Sequence, residues 1–277
     1  MEILDLIKKT NPWHKPGYKF NDHIIVREKY LEQLKAKNDF VKILIGPRRV
    51  GKSCIIYAYI RDYCARNPDK NIMFLSGDTL NNMSLVDAVE RYSADKKIEP
   101  HRIVLIVDEV QELKNWASET KILYDFYRMK IIVTGSSSSA ISEKMSKLTG
   151  RHVIINVTSL SFYEYVKFVK IKQPKMLRKN IFEQYLSLGG YPEQFNDNEI
   201  IPGEYLKHAL DASLYRDITS LFGVNNPKYL RQILEVLSDN VTNTTSFNNI
   251  AKRLAISDET SKNYIEYLQS AFLVYRL

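Results

Sequence analysis

The chain has 277 residues, 44% of them hydrophobic, a net charge of +8 and a pI near 9.2. That is room for one large domain or a core with smaller modules, and the apolar fraction excludes a disordered chain. Its uninterrupted apolar runs, such as 103–107 and 271–275, are far too short to span a bilayer, so no membrane partner is expected.

The basic excess permits a polyanionic partner, although a solvated lysine-rich surface is its commoner cause. Residues 1–9 read as an amphipathic helix with acidic residues and no cleavage site after it, unlike a signal peptide. The two cysteines, Cys54 and Cys64, cannot build a disulfide framework or a zinc site. They read as core thiols in a reducing cytoplasm.

A strand at 41–45 runs into Gly46-Pro47-Arg48-Arg49-Val50-Gly51-Lys52-Ser53, which fits G-x-x-x-x-G-K-[ST]. Cys54 and the residues after it continue as a helix. Strand, glycine loop and helix start turn successive backbone N–H groups inward around a phosphate. Gly46 and Gly51 relieve Cβ crowding, Lys52 reaches the β- and γ-phosphates, and the Ser53 hydroxyl is placed for Mg²⁺. Pro47, Arg48, Arg49, Val50 and Cys54 complete the expected ATP-binding loop.

The apolar strand 103–107 ends in Asp108-Glu109. Asp108 is expected to hold Mg²⁺ beside Ser53, and Glu109 to polarise the water that attacks the γ-phosphate. Two carboxylates at a buried strand end are costly unless a metal or donors satisfy them. The strand 131–134 opens into Thr134-Gly135-Ser136. Ligands of an open parallel sheet sit beyond the carboxyl ends of its strands, so Thr134 and Ser136 are candidates to contact the γ-phosphate or the attacking water. Ser137 to Ser139 read as a flexible serine loop.

With further strands at 71–75 and 152–157, the alternation of β and α predicts an α/β fold. Its core is a parallel P-loop NTPase sheet covered on both faces. The strand at 71–75 lies in sequence between the two site strands and is a candidate to lie between them in space. Arg151 is a candidate arginine finger on a neighbour's nucleotide, and Arg216 is a second one. The plain alternative for both is an ion pair, with Asp217 beside Arg216.

Ser161-Phe162-Tyr163-Glu164 has the pattern of a capping box and starts a helix with Phe162, Tyr165, Val166 and Val169 at helical spacing. Lys167, Lys170, Lys172, Lys175, Arg178 and Lys179 form a run free of acidic residues. It reads as a solvated lid surface, with nucleic-acid phosphates as the alternative. Gly189-Gly190-Tyr191-Pro192 is a turn signal closing this segment. Three helices then follow, at 227–240, 247–254 and 259–271. The last two fit a helix-turn-helix, with Ala251 at the crossing and Ile256 in the turn. Such a unit would offer Thr260, Ser261, Lys262 and Asn263 to DNA, while Asp258, Glu259 and Glu266 would repel phosphates.

As an ordered set, Asn11-Pro12-Trp13, the glycine loop, Asp108-Glu109-Val110-Gln111 with Trp116, Thr134-Gly135-Ser136-Ser137, Leu148-Thr149-Gly150-Arg151, the capping box and Gly189-Gly190-Tyr191-Pro192 resemble one family. It is that of the bacterial and archaeal AAA+-type predicted ATPases. The resemblance implies an ATPase core followed by a winged helix, and usually a nuclease-like C-terminal domain for which this sequence has no counterpart. The expected division is a P-loop core at 1–158, a helical lid at 159–225, and an incomplete winged-helix-like domain at 226–277. The expected activity is Mg²⁺-dependent ATP binding and hydrolysis, coupled to DNA, a second copy or a protein partner. A nucleotide-gated DNA- or protein-binding module with little hydrolysis is the alternative. Kinase-like transfer is a third, weakened because no acceptor site is visible.

Overall fold

The computed structural model describes residues 3–21, 24–80, 83–136, 141, 144–195, 202–241 and 243–275. The serine loop 137–139 and the last two residues lie outside the described residues. Five strands form one parallel sheet: β1 Val41–Ile45, β2 Ile72–Ser76, β3 Val104–Asp108, β4 Lys130–Gly135 and β5 His152–Asn156. Their order is β2-β3-β4-β1-β5.

Successive strand residues face opposite sides, so each β-branched run feeds two cores. Val41, Ile43, Val107 and Val133 belong to one core cluster, which includes Ile3, Leu6 and Ile7 of α1 (Ile3–Thr10), while Leu44, Ile106 and Ile132 belong to a second, with residues of α2 (Glu28–Lys35) and α3 (Lys52–Arg66). α4 (Leu85–Lys96) and α5 (Trp116–Asp125) complete the first face. Lys42 is buried on the second face, where its ammonium donates to the Leu34 and Ala36 carbonyls, both at 2.7 Å. It thereby caps the end of α2. Burial lowers its pKa to about 8.

β4, and not the strand at 71–75, lies between the two site strands. β2 is outermost because the N-terminal segment occupies its free edge. The Asn11 amide donates to the Phe74 carbonyl at 2.8 Å and accepts from the Phe74 N–H at 2.6 Å. His14 Nε2 donates to the Ile72 carbonyl at 2.9 Å. Side chains thus replace the ladder partner that an edge strand lacks.

The C-terminal half is helical. Behind the capping box at Ser161, α6 (Phe162–Lys172) and α7 (Arg178–Leu188) enclose Tyr165, Phe168, Val169 and Ile181. The basic run is partly used locally: Lys170 donates to the Pro174 and Met176 carbonyls, and Arg178 lies over the Phe162 ring. α8 (Pro202–Asp211) continues as a π-helix, Ala212–Ile218, and a last turn, Thr219–Phe222. Leu210, Leu214 and Ile218 pack with α9 (Lys228–Ser238), α10 (Phe247–Leu254) and α11 (Asp258–Ser270). Packing therefore groups this helix with the C-terminal bundle, not with the lid to which the expected boundary at 225 assigns it. Ser261 is fully buried and cannot face a DNA groove. No wing strand follows α11 among the described residues; Leu273 and Val274 pack onto the bundle instead. No helix among the described residues is long and apolar enough to cross a membrane.

Candidate functional site

β1 delivers its chain directly into the glycine loop, and α3 starts at Lys52. Gly46 is required by close approach: a Cβ there would stand 2.0 Å from the Val157 carbonyl oxygen. Gly51 takes φ +88°, in the region that favours glycine. Arg49 is also left-handed, at φ 65°, and its guanidinium lies 4.9 Å from the centre of the Tyr205 ring. Strained backbone of this kind clusters at ligand sites.

The Lys52 ammonium is buried and donates to the Gly46 and Pro47 carbonyls, both at 2.9 Å. Burial pushes its pKa down, against the pull of Glu109 and Asp108. β3 brings up Asp108, whose Oδ2 accepts from the Ser53 hydroxyl at 2.9 Å. Its Oδ1 accepts from the Thr134 hydroxyl. Thr134 Oγ1 in turn accepts from the Glu109 N–H at 3.2 Å. Burial raises the Asp108 pKa, opposed by the two hydroxyl donors and by Lys52. Glu109 sits at φ 50°, and its carboxylate accepts from Ser136 Oγ at 3.0 Å and from the Gln111 amide. Because β4 lies between β1 and β3, Thr134 and Ser136 can reach both carboxylates.

A cavity of about 330 Å³ opens over Gly51, Lys52, Ser53 and Cys54, with Glu109 and Arg216 in its wall. The site's oxygen donors, one hydroxyl and one carboxylate 2.9 Å apart, suit a hard cation such as Mg²⁺. Among the described residues no cluster of three or more His, Cys, Asp or Glu side chains is placed to hold a metal alone. A metal here needs further oxygens, which a triphosphate carries.

Cys54 is exposed at this cavity, so only Cys64 is the buried thiol expected of both. Arg151 stands just before β5, whose first residue pairs with the first residue of β1. It is therefore at the opposite end of the sheet from its own chain's loop, and its Nε donates to Asp125 at 2.7 Å. Arg216, in the π-helix, does line the cavity. Arg48 pairs with the neighbouring Asp217 at 2.5 Å, so the π-helix touches the glycine loop through Asp217.

Sequence reasoning assigned no role to Gln111, Asp217 as a loop contact, or Arg27. Gln111 has a local signal, two residues after Glu109. Arg27 has none. Its buried guanidinium grips Glu164 at 2.8 and 3.0 Å, the Thr158 carbonyl at 2.8 Å and the Val50 carbonyl of the loop at 3.1 Å. The capping-box carboxylate thus has a second partner. Burial works against the charge of Glu164, but Arg27 and Ser161 outweigh it and lower its pKa.

Residues 38–166 match the family described as an AAA domain, and residues 179–277 match one described only as a domain of unknown function. An uncharacterised protein of Haemophilus influenzae is 28% identical over 266 residues, covering 91% of this chain and 66% of its own length. The uncharacterised protein MJ1544 of Methanocaldococcus jannaschii is 28% identical over 265 residues, 88% of this chain and 58% of its own length. The chain thus spans about two-thirds or less of these relatives. AMPPCP-bound DnaA from Aquifex aeolicus superimposes with a TM-score of 0.41 at 14% identity, over 87% of this chain and 85% of that one. The family match and the hydrogen-bonded site fall on the same stretch: residues 38–166 match an AAA domain and hold the glycine loop, Asp108, Glu109 and Thr134.

Proposed function

We propose that the chain binds ATP with Mg²⁺ and hydrolyses it, in the cytoplasm, and that its C-terminal bundle responds to the bound nucleotide. One observation carries this. Ser53 at the start of α3, Asp108 and Glu109 at the end of β3, and Thr134 at the end of β4 form a continuous hydrogen-bonded row next to the buried Lys52.

Lys52 would exchange its own loop's carbonyls for the β- and γ-phosphate oxygens. Loop N–H groups and the start of α3 would take the remaining phosphate charge. Ser53 and Asp108 would hold the Mg²⁺, which neutralises charge developing on the phosphates. Thr134 fixes Asp108 and the Glu109 backbone, so it acts by positioning both. Glu109 orients the attacking water, with Ser136 and Gln111 controlling its direction. Arg216 adds a cation to the cavity wall, and the Arg48–Asp217 pair carries a loop change into the bundle. Arg151 would serve only a neighbouring copy's nucleotide.

The experiment is ATP binding and turnover by the wild type, Lys52→Ala and Glu109→Gln. Lys52→Ala should lose binding; Glu109→Gln should bind ATP and lose about 100-fold or more in turnover. Both variants matching the wild type would overturn the proposal.

A second reading is a nucleotide-gated DNA- or protein-binding module that hydrolyses slowly. It is favoured by Glu109 being engaged by Ser136 and Gln111 in this state. DNA retention that changes with ATP and with salt would support it. Retention indifferent to both would remove it.

A further inference from the structure

The cavity over the glycine loop has one wall that the phosphate chemistry does not use. Gly190 and Leu160 share a backbone hydrogen bond of 2.7 Å, which anchors the Gly189-Gly190-Tyr191-Pro192 turn. Pro192 then lies against the loop: a Cβ on Gly51 would stand 3.7 Å from its ring. The next residue, Glu193, is half-buried in the cavity wall. Among the described residues it has no ion pair and accepts no hydrogen bond. Desolvation at the cavity raises the pKa of the Cys54 thiol and of the Tyr205 hydroxyl, and the charge of Glu193 adds to it in both.

A carboxylate only accepts hydrogen bonds, and so does a triphosphate at neutral pH. Phosphate next to Glu193 would be repelled. The γ-phosphate end is fixed at Lys52 and Asp108, whereas Glu193 stands by Cys54 and Tyr205. The remaining part of a nucleotide is the nucleoside, and its sugar hydroxyls and base N–H groups are the only donors such a ligand has. We propose that Glu193 reads the nucleoside, accepting a hydrogen bond from a ribose hydroxyl or from the exocyclic amino group of adenine. This rests on the ATP reading above and names the group that gives it selectivity.

Equilibrium binding without turnover tests it, with ATP and with inorganic tripolyphosphate, on the wild type, Glu193→Ala, Glu193→Gln and Lys52→Ala. Glu193→Ala should weaken ATP about tenfold or more, the range of a hydrogen bond to a charged group, and leave tripolyphosphate unweakened. Glu193→Gln keeps an acceptor and should recover part of the loss. In the wild type, 2′-deoxy-ATP or purine riboside triphosphate should bind about tenfold more weakly than ATP, and that penalty should vanish in Glu193→Ala. Whichever analogue shows the penalty identifies the donor. Equal loss of ATP and tripolyphosphate in Glu193→Ala, no loss of ATP, or no analogue penalty would each overturn the assignment. Lys52→Ala binding both ligands like the wild type is a separate failure, that of the ATP reading itself.

Discussion

The two ends of the parallel sheet hold similar chemical groups and use them differently. At the carboxyl end, Asp108 is 8% exposed, bonded by two hydroxyls, and close to the buried Lys52 ammonium. At the amino end, Asp125 and Arg151 form a single ion pair whose side chains are 25% and 35% exposed. The first arrangement withdraws charge from water and satisfies it incompletely; the second leaves it solvated. A buried, partly compensated charge is costly to keep without a ligand that completes it, whereas a solvated pair needs none.

The largest expected effect follows from breaking the costly end. Asp108→Asn should lower turnover at least about 100-fold, because metal-assisted charge stabilisation is worth several kcal/mol. The same change should not destabilise the nucleotide-free protein at neutral pH. The Asp108 carboxyl has its folded pKa raised above the unfolded value by burial. The folded state therefore holds the proton more tightly, and stability falls as pH rises from the unfolded pKa through the folded one. Melting temperature compared across that acid range should show the wild type losing ground to Asp108→Asn, then levelling off. A gap that widens the other way with rising pH would contradict the burial argument.

Thr134→Val comes next. It leaves Asp108 Oδ1 and the Glu109 N–H without their shared partner, which costs about 1–3 kcal/mol at a buried site. Chemical denaturation should show this as a lower midpoint with an unchanged slope. Turnover should fall more than ATP affinity does, since Thr134 positions the carboxylates and does not hold phosphate.

Much of the carboxyl end was legible in the sequence because its signals are local. The glycine loop, the Asp108-Glu109 strand end and the Thr134 strand end are each a short run with its own chemistry. All five strands fall within a residue or two of their expected positions, because β-branched runs between turn signals have few alternatives. Strand order was not legible, since Asn11 caps β2 from 63 positions away and periodicity carries no record of such a contact. The same holds for Arg27, whose partners lie at Val50, Thr158 and Glu164. Cys54 misled because a helical position next to apolar residues reads as core, whereas the first turn of α3 faces the cavity. Ser261 misled in the opposite direction: a hydroxyl on a helix that fits a DNA reader is enclosed by the bundle.

A smaller effect is expected where the carboxyl end meets the helical bundle. Asp217 neutralises Arg48 at 2.5 Å and also accepts from Arg216 at 3.2 Å. Asp217→Asn removes that negative charge and leaves both cations facing the cavity. ATP affinity should rise several-fold at low salt and the gain should shrink as salt screens it. Unchanged affinity at every salt concentration would mean the pair has no bearing on the nucleotide.

The smallest effect is expected at the amino end, and it sharpens the comparison most. Arg151 is half-buried and its ion pair with Asp125 is solvated, so Arg151→Ala should leave the melting curve nearly unchanged. Turnover at low protein concentration should also match the wild type, because the residue lies at the far end of the sheet from its own chain's loop. The informative measurement is specific activity against protein concentration. If wild-type activity per chain rises with concentration and that of Arg151→Ala stays flat, then the exposed end of one copy completes the buried end of another. A finger acting between copies must be solvent-facing before assembly, so the weak, solvated pair with Asp125 is the resting state such a role requires. If the two proteins give parallel curves, the pair is a surface ion pair and nothing more.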